Sequence, residues 1–132
     1  MEPYVSFAMD KTVELLAIDS PTGYTREAER FVSEQFAALG FPVTRTVKGG
    51  VLVDLGGEDA ENALLLEAHA DTLGGMVAEI KSSGRLRIRN VGGMNANNAE
   101  AENCRIVTKA DGIYEGTLQL CDASIHVNGD YG

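Results

Sequence analysis

His69 and Asp71, two residues apart at the end of an apolar run, form a pair that could bind and orient a metal ion. The run 63–66, Ala-Leu-Leu-Leu, is typical of a buried strand that continues through the pair. Residues two apart on a strand point to the same face, and open α/β sheets bind ligands at the carboxyl ends of their strands. A metal-binding histidine commonly donates its second ring proton to a carboxylate. The spacing therefore predicts His69 as a metal ligand and Asp71 as the residue that orients it, within hydrogen-bonding reach.

Other residues that could complete a metal site are scarce. Glu67 shares the predicted strand face and is interpreted either as a base or as a strand-end carboxylate that faces solvent. Burial tendencies favour His126, the second of two histidines, as a packed strand residue rather than a ligand. A catalytic zinc needs about three protein ligands and an open position, so we expect this chain to bind metal weakly or not at all. The sequence contains neither a nucleophile elbow nor a phosphate-binding loop.

Composition and charge exclude several classes of partner. With 132 residues, 44% of them hydrophobic, the chain can form one domain with an apolar core, or one domain and part of another. The net charge of −9 argues against nucleic acids and anionic membranes as partners. The amino terminus has no apolar stretch of signal-peptide length, and two cysteines do not make a disulfide framework. We therefore expect a cytoplasmic location and reduced thiols.

Two amphipathic helices are predicted near the amino terminus, over residues 6–18 and 25–39. Thr25 is in the N-cap position of the second helix, and Gly40 is placed to end it. Apolar residues recur at helical spacing in both segments, and we expect them to form the buried faces. They are Met9, Val13 and Leu16 in the first helix, and Ala28, Phe31, Val32, Phe36 and Leu39 in the second.

The rest of the chain has the periodicity of strands. Residues 43–47 and 51–55 alternate on either side of a Lys-Gly-Gly turn and predict a hairpin, which a solvated loop over 58–62 follows. From Gly74 onward, short strands separated by turns predict a small β-barrel or sandwich that ends with a strand over 124–128. We expect this barrel to lack some of its strands and the chain to be the first part of a longer protein.

Several short motifs occur together between residues 20 and 77. They are Ser20-Pro21-Thr22-Gly23-Tyr24, Gly49-Gly50-Val51, Ala68-His69-Ala70-Asp71, Leu73-Gly74 and Met76-Val77. In this combination the sequence resembles the glutamyl and deblocking aminopeptidases, a family of di-metal peptidases that includes the tetrahedral aminopeptidases. The combination is far more specific than any one of the motifs.

The resemblance implies an α/β fold in two parts. Residues 1–73 would begin a phosphorylase/hydrolase-like mixed sheet with helices, and residues 74–132 would form a partial all-β, barrel-like dimerisation domain. His69 would be a metal ligand, and Asp71 a residue of the catalytic site that orients it. The full-length enzyme would hold two divalent metal ions, zinc or cobalt, act on peptide substrates and form a homo-oligomer. The family's catalytic Glu and remaining ligands follow the inserted domain, so the resemblance implies an inactive fragment.

A second hypothesis is a non-catalytic module whose β-barrel holds subunits together. The two hypotheses differ in what they require downstream of this chain. A Glu-Glu pair and a further Asp and His beyond residue 132 would favour the enzyme. A stop codon at that point would favour the assembly module.

Overall fold

The chain forms two compact units, Met1–Gly75 and Met76–Gly132. The structure is a computed structural model and describes residues 2–59, 61–110 and 112–121. No helix in these ranges is long and apolar enough to cross a membrane. The predicted strand over 124–128 lies outside the described residues.

Two helices, α1 over Glu2–Leu16 and α2 over Arg26–Ala38, confirm the predicted helical segments with shifted ends. The end of α2 is followed as predicted by Gly40, whose φ of +89° lies in the region that favours glycine. Across this turn the N–H of Phe41 donates to the oxygen of Phe36 at 3.1 Å, and the two rings pack edge to face. On the predicted apolar face of α2, Leu39 is exposed, Ala28 is buried, and Phe31, Val32 and Phe36 are half-buried.

The face that α1 turns towards α2 differs from the predicted one. The residues predicted to be buried are exposed, namely Met9, Val13 and Leu16. The residues of α1 that line the cleft beside α2 are Phe7, Lys11, Thr12 and Leu15. The ammonium of Lys11 lies 5.9 Å from the ring centroids of Phe7 and Phe31. A lysine stem can cover apolar surface while its ammonium stays in water, so a pattern built on apolar residues alone selected the wrong face.

Strands β1 (Val43–Arg45) and β2 (Val51–Val53) form the predicted antiparallel hairpin. Glu29, a residue of α2, bonds to this hairpin through Arg45. The Glu29 carboxylate accepts a hydrogen bond from the Thr25 hydroxyl at 2.5 Å and one from the Arg45 guanidinium at 2.8 Å. These two bonds hold the pKa of Glu29 below its ordinary value, and the bond from Thr25 has the larger effect. Thr25 thus occupies the predicted N-cap position, but it bonds a side chain rather than a main-chain N–H.

The predicted buried strand over residues 63–66 is wrong. The segment joins no sheet among the described residues, and Leu64 and Leu66 are 94% and 89% exposed. A strand buried on both faces needs neighbouring strands to bond its N–H and C=O groups. The first pairing after the segment is an isolated parallel bridge between Pro21 and Thr72. The residues that follow the run are therefore held by this bridge and not by a central sheet.

Two further sheets of two strands each follow, as the strand periodicity predicts. β3 (Gly74–Ile80) pairs with β4 (Leu86–Val91), and β5 (Asn103–Val107) pairs antiparallel with β6 (Ile113–Thr117). A short 3₁₀ helix at Ala96–Ala99 lies between β4 and β5, where only turns were predicted. The strands within the described ranges do not close into a barrel, so the barrel or sandwich stays a prediction.

Candidate metal-ligand pair

His69 and Asp71 are in direct contact, and this confirms the hydrogen-bonding reach that their spacing predicted. Nδ1 of His69 lies 3.0 Å from Oδ1 of Asp71 and 3.0 Å from the main-chain oxygen of the same residue. The His69 side chain is 86% exposed, whereas that of Asp71 is 36% exposed. The imidazole is thus tethered on one side and open to solvent on the other.

The contacts of His69 determine which ring nitrogen carries the proton. Both groups that face Nδ1 are oxygen acceptors, so a hydrogen bond to either one requires a proton on Nδ1. In the neutral ring this leaves the lone pair on Nε2. A carboxylate on the opposite nitrogen also makes Nε2 a better ligand. His69 therefore fits the role of a single metal ligand through Nε2.

Thr22 completes the surroundings of the Asp71 carboxylate. Its hydroxyl donates to Oδ2 at 2.5 Å, while His69 occupies Oδ1. The hydrogen bond from Thr22 is the largest cause that lowers the pKa of Asp71 below its ordinary range, and the bond from His69 lowers it further. Partial burial acts in the opposite direction, and its influence is smaller than that of Thr22 but larger than that of His69. Asp71 is therefore an ionised acceptor at neutral pH, as a partner for Nδ1–H must be.

The loop 20–24 positions this carboxylate because it docks onto residues 70–72. The Ser20 hydroxyl is almost fully buried and donates to the oxygen of Ala70 at 2.9 Å. The oxygen of Ser20 accepts the N–H of Thr72 at 2.9 Å. These bonds flank Asp71 in the chain, so the loop fixes the backbone on both sides of the residue.

The other residues proposed from the sequence do not join the pair. Glu67 is exposed, as one of its two interpretations predicted, and His126 lies outside the described residues. Nowhere in the described ranges do three His, Cys, Asp or Glu side chains come together as a metal site. The weak metal binding expected of this chain stays a prediction.

Sequence reasoning missed the roles of Ser20 and Thr22. Both belong to a motif that marks the resemblance, but the pattern there indicated only a loop that ends a helix. The hydrogen bond from Thr22 joins residues 49 positions apart, and no local periodicity reports a contact of that range. One indication of this contact is present in the sequence: the hydroxyl-bearing motif at residues 20–24 occurs in the same chain as the His-x-Asp motif at residues 69–71.

Comparisons with known proteins agree on the family. A family model described as M42 glutamyl aminopeptidase matches residues 49–131, which include His69 and Asp71. The chain is also 40% identical over 124 residues to "Putative aminopeptidase YhfE" of Bacillus subtilis (strain 168), an alignment that covers 94% of this chain. The same alignment covers 36% of that relative, so this chain spans about a third of the relative's length. The chain belongs to the M42 glutamyl aminopeptidase family.

Proposed function

We propose that this chain is the amino-terminal part of a metalloaminopeptidase, an enzyme that hydrolyses amino-terminal residues from peptides. The observation that carries the proposal is the hydrogen bond between His69 and Asp71, which leaves Nε2 exposed. Family membership and similarity to a relative named as an aminopeptidase support peptide hydrolysis. Because the chain corresponds to 36% of that relative, the activity is proposed for the whole protein and not for these 132 residues alone.

In this proposal His69 binds one of two divalent metal ions, zinc or cobalt, through Nε2. Asp71 acts through His69, because it accepts the Nδ1 proton and so fixes the orientation of the ring. The metal ions, when bound, supply a Lewis acid for the scissile carbonyl and lower the pKa of a bound water. The further ligands and the general base are proposed to lie beyond residue 132.

The proposal extends to architecture and location. Residues 1–73 would begin a phosphorylase/hydrolase-like mixed α/β sheet, and residues 74–132 would be part of a barrel-like dimerisation domain of a cytoplasmic homo-oligomer. The boundary between the two compact units, at Gly75 and Met76, supports this division. The net charge of −9 supports partners other than nucleic acids and membranes.

A second candidate function is the non-catalytic assembly module. The observation that favours it is the set of large apolar side chains that β3 and β6 leave exposed. They are Met76, Val77 and Ile80 on β3, and Ile113 and Tyr114 on β6.

A peptidase assay on the whole protein loaded with zinc or cobalt tests the enzyme. One peptide is offered with a free amino terminus and, in parallel, with that terminus acetylated. We expect release of the first residue from the free peptide alone. His69→Gln should lower kcat/KM by at least about 100-fold, since even the partners of metal ligands contribute 10–100-fold. The matched control His126→Gln should stay near wild type, and cleavage of neither peptide at any metal loading would contradict the proposal.

A further inference from the structure

Thr22 is linked to the metal-ligand pair through the carboxylate of Asp71. The two oxygens of that group have separate partners, the Thr22 hydroxyl on Oδ2 and the Nδ1–H of His69 on Oδ1. We propose that Thr22 is a positioning residue: by holding Oδ2 it turns Oδ1 towards the imidazole, which keeps the proton on Nδ1 and leaves Nε2 free for a metal ion. The inference rests on the proposed function in taking His69 as a metal ligand.

A carboxylate in this setting needs a second partner to keep its orientation. The terminal torsion of an aspartate is broad, so one hydrogen bond leaves the group free to rotate. The Asp71 side chain is 36% exposed, and water can therefore compete for either oxygen. A hydroxyl at 2.5 Å on an ionised oxygen is a charge-assisted bond of the stronger kind. Thr22 thus restricts the rotation that would carry Oδ1 away from His69.

The role of Thr22 is separable from the docking of its loop. Docking uses two groups of Ser20. Its hydroxyl donates to the main-chain oxygen of Ala70, and its main-chain oxygen accepts the N–H of Thr72, both at 2.9 Å. None of these groups changes when the Thr22 side chain is substituted. Loss of the Thr22 hydroxyl should therefore free the carboxylate while the loop stays in place.

The consequence falls on the tautomer of His69. A neutral imidazole carries its proton on either nitrogen, and only the Nδ1–H form presents a lone pair at the exposed Nε2. The Nε2–H form would turn a lone pair towards the oxygens of Asp71 and put a proton on the ligand atom. The main-chain oxygen of Asp71 also faces Nδ1, so the change in the Nδ1–H population on loss of the Thr22 hydroxyl reports the part that the carboxylate contributes.

Nitrogen-15 NMR of the metal-free chain measures this population. Spectra of the imidazole nitrogens are recorded at about pH 8.5, where an ordinary histidine is neutral. The chain has two histidines, and His69→Gln identifies the signals of His69 by their loss. The test variants are Thr22→Ala, Thr22→Val and Thr22→Ser. Thr72→Ala is the matched control, since it removes a hydroxyl next to Asp71 that forms no hydrogen bond in the described part of the chain.

We expect the ratio of the Nδ1–H form to the Nε2–H form to fall roughly threefold to tenfold in Thr22→Ala and Thr22→Val, as the loss of one such bond implies. Thr22→Ser and Thr72→Ala should keep the wild-type ratio within about twofold. An unchanged ratio in Thr22→Ala would overturn the inference, and so would a Thr22→Ser ratio as low as that of Thr22→Val. If Thr22→Ala undocks the loop, the Ser and Val variants decide the question.

Zinc titrated into the whole protein and its Thr22 variants separates this inference from the proposed function. A ratio that depends on the Thr22 hydroxyl, with no effect of zinc on the Nε2 signal of the whole protein, would contradict the ligand role of His69 and leave the positioning role standing. If zinc changes the Nε2 signal equally in wild type and in Thr22→Ala, the result would support the ligand role and contradict the positioning role.

Discussion

A Cβ atom placed on Gly74 would overlap the Cβ of Pro21, far inside the contact distance of two carbon atoms. Pro21 has a rigid ring and belongs to the loop that docks onto residues 70–72, where it bridges Thr72. The absence of a side chain at position 74 therefore sets how closely the loop approaches. That approach brings the Thr22 hydroxyl to Asp71.

Gly74→Ala should destabilise the first unit. The added methyl group meets a ring that cannot move aside cheaply, so we expect a loss of about 1–3 kcal/mol in the free energy of unfolding, as for other overpacked sites. Urea unfolding measures the loss. Gly57→Ala is the matched control, because a Cβ there has nothing within 4 Å, and its change should stay within about 0.5 kcal/mol. Equal stability of the two variants would show that the loop does not need the close approach.

Stability should depend on the charge of Glu29. Hydrogen bonds from Thr25 and Arg45 lower the pKa of Glu29 in the folded chain below its ordinary value, so the ionised form stabilises the fold. This contribution is complete above the ordinary pKa and is lost as the pH falls through the lowered one. Glu29→Gln should therefore cost about 0.5–1 kcal/mol at neutral pH and less in acid.

Urea unfolding of wild type and Glu29→Gln across the acid range tests the sign of this effect. Glu34→Gln on the same helix is the matched control, since its side chain is exposed to solvent. A gap between wild type and Glu29→Gln that stays constant from neutral pH into acid would show that the lost stability does not come from the carboxylate charge.

Metal binding by the 132-residue chain should be weak. His69 offers one nitrogen, and no described residue adds the further ligands that a tight zinc site requires. Titration calorimetry with zinc should find no stoichiometric tight site, and His69→Gln should remove most of the residual heat. Tight binding at one ion per chain would reveal ligands that the described ranges do not contain.

The helix α2 and the first hairpin were predictable because their signals are local. Gly40 ends α2 at a positive φ, and alternation around a glycine turn defines β1 and β2. The packed face of α1 was not predictable in this way, because Lys11 contributes its stem to a surface that the pattern assigns to apolar residues alone. Local sequence patterns thus predict where helices and strands form better than they predict which face of a helix is packed.

The site shows a similar division between local and distant information. The contact between His69 and Asp71 was predicted from their spacing, although the predicted strand that would carry them is not formed within the described residues. Its support by Thr22 depends on a fold that joins distant segments. The error at residues 63–66 has a related cause. An apolar run has the same composition whether or not neighbouring strands are present, and only those neighbours make it a buried strand.

Association should occur through the second unit. Each sheet among the described strands has two members, so every strand leaves one edge unpaired, and Ile80 on β3 is 75% exposed. We expect a dimer or larger species by light scattering at about tens of micromolar. Ile80→Lys should weaken it, whereas Ser6→Lys, an equal charge change at an exposed polar residue of the first unit, should not. A monomer for the wild-type chain would contradict the assembly role.

Anomalous diffraction at the zinc edge shows directly whether His69 binds a metal ion through Nε2. Crystals of the whole protein with zinc would locate the ions without assuming their ligands. We expect an anomalous peak about 2.0–2.1 Å from Nε2 of His69, with Nδ1 still bonded to Asp71. Zinc bound to Nδ1, or zinc sites that do not include His69, would contradict it.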